Sequence, residues 1–402
     1  MTELVRERRC PARVQRLRLC VSAAALLAGV LLAPQRAHAY PWMIRHDYTG
    51  CATCHVDPSG GGVLTEYGAA QGDLLLRTHY TPSNSDEPSS TAGFLWGAVK
   101  PPAWLLPSGS VRTLGLASKI GSAGFTTNFI LMQADLRAAV VAGGFRAYAS
   151  LGAVTSNQPA ASVVGNVVSR EHWVGWAFGE DGAVVARAGR LDLPFGIRSI
   201  EHTMFVRQST RTDLNDTQQH GAALAYTGGL IRGEVMAIAG NYQVSPDVYR
   251  ERGYSAYLEI TPLPNAAFGV SSLVTHAARD IYLKVPDTRQ AHGVFARVSP
   301  VRPLVLMLEG DAVAQSALSG WGYASMLQAD VEPIQGLHLI LTGENMRQAG
   351  SGTGMSWSGW LGAGWFFAPH ADIRFDVLRQ SLALGPANVA ATALMAQLHV
   401  YL

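Results

Sequence analysis

Charge is scarce in this chain. Only 15% of its 402 residues are Asp, Glu, Lys or Arg, and 31 basic residues nearly balance 29 acidic ones. Ordinary globular domains carry about a quarter charged residues, whereas disordered chains combine low hydrophobicity with high net charge. At 48% hydrophobic and a formal charge of +2, this chain is not of the disordered kind. Long apolar runs are scarce too. One exists, Val21–Leu32, and nothing later approaches the roughly 18 uncharged apolar residues of a spanning helix. A polytopic helical membrane protein is therefore excluded. Cysteine is limited to four residues, too few for a disulfide scaffold. No nucleophile triad, phosphate loop or zinc cluster appears, so hydrolysis and group transfer have no support. No repeat of 20–50 residues is apparent. What remains is a soluble protein or a membrane β-barrel, whose strands hide their hydrophobicity in alternation.

The N-terminus reads as an export signal. Arg6, Arg8, Arg9, Arg13, Arg16 and Arg18 precede the apolar run, and Pro34 and Ala37-His38-Ala39 follow it as a helix breaker and a small-residue cleavage site. The cut is expected before Tyr40, with an uncleaved anchor as the alternative. Ordinary secretion fits the flanks of Arg8-Arg9 better than twin-arginine export. Residues 1–39 hold seven Arg and two Glu, so the remainder carries 24 basic and 27 acidic residues and a net charge of −3. The basicity belongs to the signal, and no nucleic-acid partner is expected. Cys10 and Cys20 leave with it, and Cys51 and Cys54 remain.

Those two cysteines carry the chemistry. Cys51-Ala52-Thr53-Cys54-His55 is a C-x-x-C-H haem-attachment signature. Two thiols add to the haem vinyl groups, and the adjacent His55 is placed to bind iron. One covalent haem c is therefore the expected cofactor. A thioredoxin-like redox pair wants a βαβ context that is missing here, and a lone disulfide does not require the histidine. For the sixth iron ligand, Met43, His46 and His79 are the nearby candidates, and an open iron is the other possibility.

The flanks suggest a small module over residues 40–80. Tyr40-Pro41-Trp42-Met43-Ile44 offers aromatic and apolar surface. Asp57-Pro58-Ser59-Gly60-Gly61-Gly62 reads as a turn permitting close backbone approach, or as a hinge. Leu64–Leu76 reads as a short amphipathic helix with Leu64, Tyr67, Leu74 and Leu75 as its apolar positions. A polar Pro/Ser linker follows, within residues 81–109. About 40 residues make a weak core alone, so the module is expected to lean on something else.

Residues 110–402 read as a transmembrane, porin-like β-barrel. Leu337, Leu339 and Leu341 alternate with His338, Ile340 and Thr342; Ile373, Phe375 and Val377 alternate with Asp372, Arg374 and Asp376. Leu304, Leu306 and Leu308 alternate in the same way with Val305, Met307 and Glu309. Aliphatics on one face and polar groups on the other suit a strand between lipid and a wet lumen, although a soluble sandwich alternates similarly. Connection lengths separate the two. About sixteen strand candidates are joined by tight turns, such as Ala142-Gly143-Gly144 and Thr227-Gly228-Gly229, that interleave with mostly longer loops. The longer loops include Ser156–Arg170, Leu193–Thr217 and Ala383–Ala390. Short turns on one side and long loops on the other is the outer-membrane pattern, and an even count puts both ends in the periplasm. The fold expected is all-β: an outer-membrane antiparallel barrel preceded by a small c-type cytochrome segment.

The loop after the fifth strand is unusually long. Gly189–Arg198 (GRLDLPFGIR) leads into a segment carrying Glu201, His202, Arg207, Arg211, Asp213, Asp216 and His220. Its length points to a fold into the lumen, where arginines and carboxylates would set a constriction, or to a solvated extracellular loop.

The GRLDLPFGIR stretch is similar to a segment of phosphate-selective-type porins. The whole layout, signal then C-x-x-C-H then about sixteen strands, resembles the fused outer-membrane cytochrome–porins, whose best-known members are monohaem iron oxidases. The family's residues carry over at Cys51, Cys54 and His55, and more loosely at the Gly-rich turn and Tyr67-Gly68. The residues before the motif depart from the family's pattern, and the linker is this chain's own. The resemblance implies an electron conduit across the outer membrane, with extracellular ferrous iron as the donor. It would have an extracellular donor or acceptor, a periplasmic carrier such as a soluble cytochrome, and outer-membrane lipid as partners. The haem segment would lie on the periplasmic side or inside the barrel. The alternative is a diffusion porin in which that segment is a plug, a sensor or a structural element.

Overall fold

The computed structural model describes residues 41–80, 89–153, 167–179, 181–201, 203–214, 217–243, 247–350, 354–384 and 387–402. The expected signal, residues 1–39, lies outside them, as do His202 and Asp216. Among the described residues, seventeen strand segments form one antiparallel sheet. Two of them, Val167–Val168 and His172–Phe178, run successively along the same neighbour and make one interrupted strand. The result is a sixteen-stranded barrel. Its strands are β1 Leu105–Ile120, β2 Thr126–Ala142, β3 Phe145–Ala153, β4 (the interrupted one), β5 Val184–Leu191, β6 Gln219–Thr227, β7 Ile231–Gly240 and β8 Arg252–Leu263. They continue as β9 Ala266–Ala277, β10 Asp287–Val301, β11 Leu304–Gln315, β12 Gly322–Ile334, β13 Leu337–Arg347, β14 Ser356–Ala368, β15 Ala371–Leu384 and β16 Ala387–Tyr401. β1 pairs with β2 on one side and with β16 on the other, from Ser110↔Tyr401 to Ile120↔Ala391. That pairing removes both sheet edges.

Alternation sorts the side chains as expected. Leu339 and Leu341 face outward and are 46% and 62% exposed, while His338, Ile340 and Thr342 between them are buried. Phe375 and Val377 likewise point out, and Val305, Met307 and Glu309 point in. The inner face is less wet than alternation alone implies. Val305, Met307, Ala324 and Met326 form an apolar patch that the chain itself covers, with Ile44, Ile197, Phe205 and Val206.

Tight turns join alternate strands at the end where β1 begins and β16 finishes. One of them, Gly143-Gly144, needs a positive φ of 59° at Gly143, which glycine adopts without a Cβ penalty. The expected loop Ala383–Ala390 is largely strand instead: β15 runs to Leu384 and β16 starts at Ala387. Ladder pairing of Ser381–Leu384 with Ala387–Ala390 satisfies backbone groups that a loop would leave to water.

The loop after β5 folds inward. Leu193, Phe195, Ile197, Met204, Phe205 and Val206 are all buried, and Phe205–Thr210 forms a short helix, α2, inside the ring. Its arginines bind carboxylates of the wall or of other loops. Arg207 pairs with Glu309 of β11, and Arg211 pairs with Asp280 and Glu251. Backbone groups are satisfied in the same way: Ile197 N–H donates to Glu309 Oε2 at 2.9 Å, and Phe205 N–H to Glu344 Oε1 at 2.7 Å.

A second insertion enters from the opposite end, and it is the N-terminal segment. Arg45 pairs with Asp330 and Glu332 of β12. Arg297 of β10 donates to the Thr49 carbonyl at 2.9 Å, and Asp57 pairs with Arg187 of β5. Contacts to strands on several sides of the ring place residues 41–64 within the lumen. The segment leaves along the tight-turn rim, where Thr78 N–H donates to Phe366 O at 3.0 Å and Tyr80 Oη to Phe367 O at 2.8 Å. The two insertions touch: Arg198 Nη1 donates to the Ser59 carbonyl at 2.7 Å.

Candidate functional site in the barrel lumen

Cys51–His55 forms one tight turn. The Cys51 carbonyl accepts from Cys54 N–H at 3.2 Å and from His55 N–H at 3.0 Å. Bonds of the i→i+3 and i→i+4 kind bring residues i, i+3 and i+4 to one face, so Cys51, Cys54 and His55 are presented together. Cys51 and Cys54 are not joined in a disulfide.

A short hairpin follows. His55 bridges Leu64, and Val56 N–H donates to Val63 O at 3.0 Å. The hairpin reverses at Asp57–Gly60, where Asp57 Oδ1 accepts from Ser59 N–H at 2.6 Å. The expected Gly-rich turn is thus real, and Gly62 shows why glycine is needed there. Its φ is +70°, and a Cβ would lie 2.6 Å from Cζ of Tyr148. Tyr148 is itself stacked on Trp173 with ring centroids 5.8 Å apart.

The helix after the hairpin differs from the expectation. α1 spans only Glu66–Gln71 and passes into a wider turn at Gly72–Leu76. Thr65 caps it, with Oγ1 accepting from Gly68 N–H at 3.0 Å and donating to Thr53 O at 3.0 Å. Its buried positions are Gly68, Asp73 and Leu76, whereas Tyr67 is 40% exposed. The reason is close backbone packing on the cysteine turn, which selects a glycine and not an apolar stripe. Asp73 is held by Arg77 and by the Ser89 N–H, and those contacts lower its pKa against the opposing effect of burial.

Cys51, Cys54 and His55 line a cavity of about 810 Å³, a size in the range of cofactor sites (about 300–1,000 Å³). Met43 lines it too, alongside Leu64, Gly68 and Leu76. His46 and His79 do not. His46 faces Glu332 at 3.5 Å, and His79 Nε2 lies 3.2 Å from Asp73 O. Of the three residues proposed for the sixth ligand, Met43 alone shares the cavity with the cysteine turn.

The cavity has the volume of a cofactor site and a histidine on its wall. His55 Nδ1 is buried without a hydrogen-bond partner, while the ring keeps access to the cavity. Burial lowers the His55 pKa to about 4, with Asp57 pulling the other way. The imidazole is therefore neutral at pH 7, the form that binds iron. Sequence reasoning missed the cationic part of the wall: Arg112, Arg137, Arg198, Arg232 and Arg297 all line the cavity. For the four on strands, Arg112, Arg137, Arg232 and Arg297, the inward direction was readable from alternation, but no sequence signal said which part of the lumen would face the turn.

The fold is that of the outer-membrane porins. OmpT of Vibrio cholerae, in its trimer form, aligns with a TM-score of 0.56 at 10% identity, over 74% of this chain and 99% of that one. The outer membrane channel DcaP of Acinetobacter baumannii aligns with 0.54 at 10% identity, over 73% and 96%. An anion-selective porin from Comamonas acidovorans aligns with 0.53 at 12% identity, over 74% and 99%. No protein-family model matches the chain, and no curated protein does.

Proposed function

We propose that this chain is an outer-membrane electron-transfer protein carrying one covalent haem c inside a porin-type barrel. The observation that carries the reading is the C-x-x-C-H turn itself, with two thiols not joined in a disulfide and a neutral histidine on one cofactor-sized cavity in the lumen. Cys51 and Cys54 anchor the group as thioethers, and His55 offers a ring nitrogen to its iron. Met43, which lines the same cavity, is the further residue that would help to hold the group. When bound, the haem supplies reversible one-electron chemistry.

The physical reason for fusing the parts is distance. The apolar core of a bilayer is about 30 Å thick, too wide for a carrier on one side to reach a donor on the other. A redox group held in the lumen divides that gap. The partners are an extracellular donor or acceptor, with ferrous iron the first to test, and a periplasmic carrier such as a soluble cytochrome.

A second reading is a diffusion channel in which residues 41–80 are a plug. It is favoured by the fold neighbours, which are described as channels and porins. A redox-titrated visible spectrum of the purified protein, with and without ferrous iron, separates the two. The conduit predicts a haem stain that survives denaturation and a spectrum that iron reduces. A colourless protein whose conductance rises when residues 41–80 are loosened would leave the plugged channel.

A further inference from the structure

Three adjacent strands bring an aspartate, a histidine and a serine into line on the inner wall, at the seam where the ring closes. Asp372 of β15 pairs in register with His399 of β16, and its Oδ2 stands 2.8 Å from His399 Nδ1. On the other side of the imidazole, His399 Nε2 stands 3.0 Å from Ser110 Oγ of β1. An ionised carboxylate only accepts hydrogen bonds, so it fixes the neutral imidazole with its proton on Nδ1. Nε2 is then a lone pair that faces the serine hydroxyl. Nucleophile, general base and orienting carboxylate are thus each within hydrogen-bond reach of the next, the arrangement that activates a serine. No local motif announces it, because Ser110 and His399 are 289 positions apart. The three meet only once β1 has paired with β16.

Ser110 and His399 line the lumen cavity, whose wall also includes Lys100 and Pro369 towards the tight-turn rim. The serine is 5% exposed, so its hydroxyl is shielded from bulk water. In register, Tyr401 and Asp135 stand opposite Ser110, and Arg112 stands opposite both His399 and Gln133. Asp135 is engaged by Gln133, Arg137 and Arg170, so it does not compete with Asp372 for the imidazole. Ser110 Oγ also lies 3.5 Å from Gln133 Oε1, a longer contact than the one to His399. Arg112, two positions along the same inward face and on the same cavity, is the cation offered to an oxyanion at this serine.

We propose that Ser110, His399 and Asp372 form a catalytic triad that hydrolyses small carboxylic esters entering the lumen from the tight-turn end. Ser110 Oγ bonds to the acyl carbon while its proton passes to His399 Nε2. The ester C–O bond then breaks, and that proton leaves on the alcohol. Water adds next to the acyl-serine and gives a proton to His399, which returns it to Ser110 Oγ as the carboxylic acid departs. Asp372 touches only the imidazole and is the positioning residue. The volume of about 810 Å³ restricts the substrate to a small ester, and Phe94, Leu106 and Leu402 on the same wall suit a short acyl chain. The activity goes beyond the haem reading and does not depend on it, since all three residues belong to the barrel wall.

The test uses the intact, detergent-purified protein with a fluorophosphonate probe and p-nitrophenyl acetate. The probe's phosphorus bonds to an activated serine with loss of fluoride. One phosphonate is expected on the peptide that carries Ser110, found by mass spectrometry, together with ester turnover that the label abolishes. Ser110→Ala should lose both while keeping wild-type heat-modifiable migration on gels. Asp372→Asn keeps the nucleophile but no longer fixes the tautomer, so kcat and labelling rate should fall by about 10²–10⁴-fold with KM little changed. An unlabelled wild type, or a label on another residue, would overturn the proposal. So would Asp372→Asn at the wild-type rate, which would leave the three residues as a strut that seals β1 to β15 and β16. If Ser110→Ala fails to assemble, the labelled peptide of the wild type decides alone.

Discussion

Gly68 lies flush against the backbone of Cys54: a Cβ built on Gly68 would stand 2.7 Å from the Cys54 Cα. The capped helix α1 and the cysteine turn are thereby locked face to face, with Thr65 N–H donating to the Cys54 carbonyl at 2.8 Å. Overpacking at such a contact costs about 1–3 kcal/mol. Gly68→Ala should therefore pry the helix off the turn and reduce the fraction of chains carrying covalent haem, read as stain per mole of barrel. Full staining in that variant would show that the helix does not support the turn.

Losing the proposed haem should not cost the barrel. Cys51→Ala/Cys54→Ala removes both thioethers, but the ring closes on its own ladder between β1 and β16. The expected product is a colourless, membrane-inserted protein with wild-type heat-modifiable migration on gels. His55→Ala should keep the stain yet change the midpoint potential greatly, since the iron loses its nitrogen ligand.

The lumen segment is held by buried ion pairs, and breaking one leaves an uncompensated charge at a cost of about 3–5 kcal/mol. Asp57 and Arg187 are both fully enclosed, as are Arg45 and Asp330. Asp57→Asn and Arg45→Gln should each loosen the segment and raise single-channel conductance in planar bilayers. Conductance at the wild-type level in both would mean that the segment does not obstruct the pore.

Acid should act in the same direction on the haem-free protein. The His55 pKa is lowered to about 4 inside the lumen from an ordinary 6.5, so above 6.5 the imidazole is neutral whether docked or released. Between 6.5 and 4 only the released form takes a proton, and docking weakens as pH falls, by about 3 kcal/mol across the window. In Cys51→Ala/Cys54→Ala, conductance should rise through that window, and adding His55→Leu should flatten the rise.

Topology gives a separate check. Tyr282, in the loop between β9 and β10, is 68% exposed, whereas Gly143 lies in a tight turn at the opposite end. Tyr282→Cys should react with an impermeant maleimide on intact cells, and Gly143→Cys only after lysis. Equal labelling of both before lysis would contradict the orientation.

Much of this was legible because strand alternation is a local property. The Leu339–Leu341 and Phe375–Val377 faces could be assigned from residue type alone, since a period of two fixes the side whatever lies opposite. The long loop after β5 was legible as unusual, but its partners Glu309 and Glu344 are more than 100 residues away, and nothing local names them. Helix α1 was misjudged for a similar reason. Its buried face is set by contact with Cys54, where a missing side chain matters more than an apolar one. The C-x-x-C-H spacing revealed the turn, while the wall around it, Arg112 and Arg137 included, became visible only once the ring was closed.

That closure has a consequence for the order of events during biogenesis. The strand that seals the ring, β16, is the last to leave the ribosome, and the segment it encloses comes before the first strand. Cys54 is 2% exposed in the sealed state, so a bulky group joined to it would have to come through the cavity that Cys54 lines. Attachment of the proposed haem would go more readily before β1 pairs with β16, or with the segment withdrawn to the rim. Any catalyst of that ligation would act on a chain whose first forty structured residues are still outside the ring, which makes maturation a kinetic contest between ligation and barrel sealing.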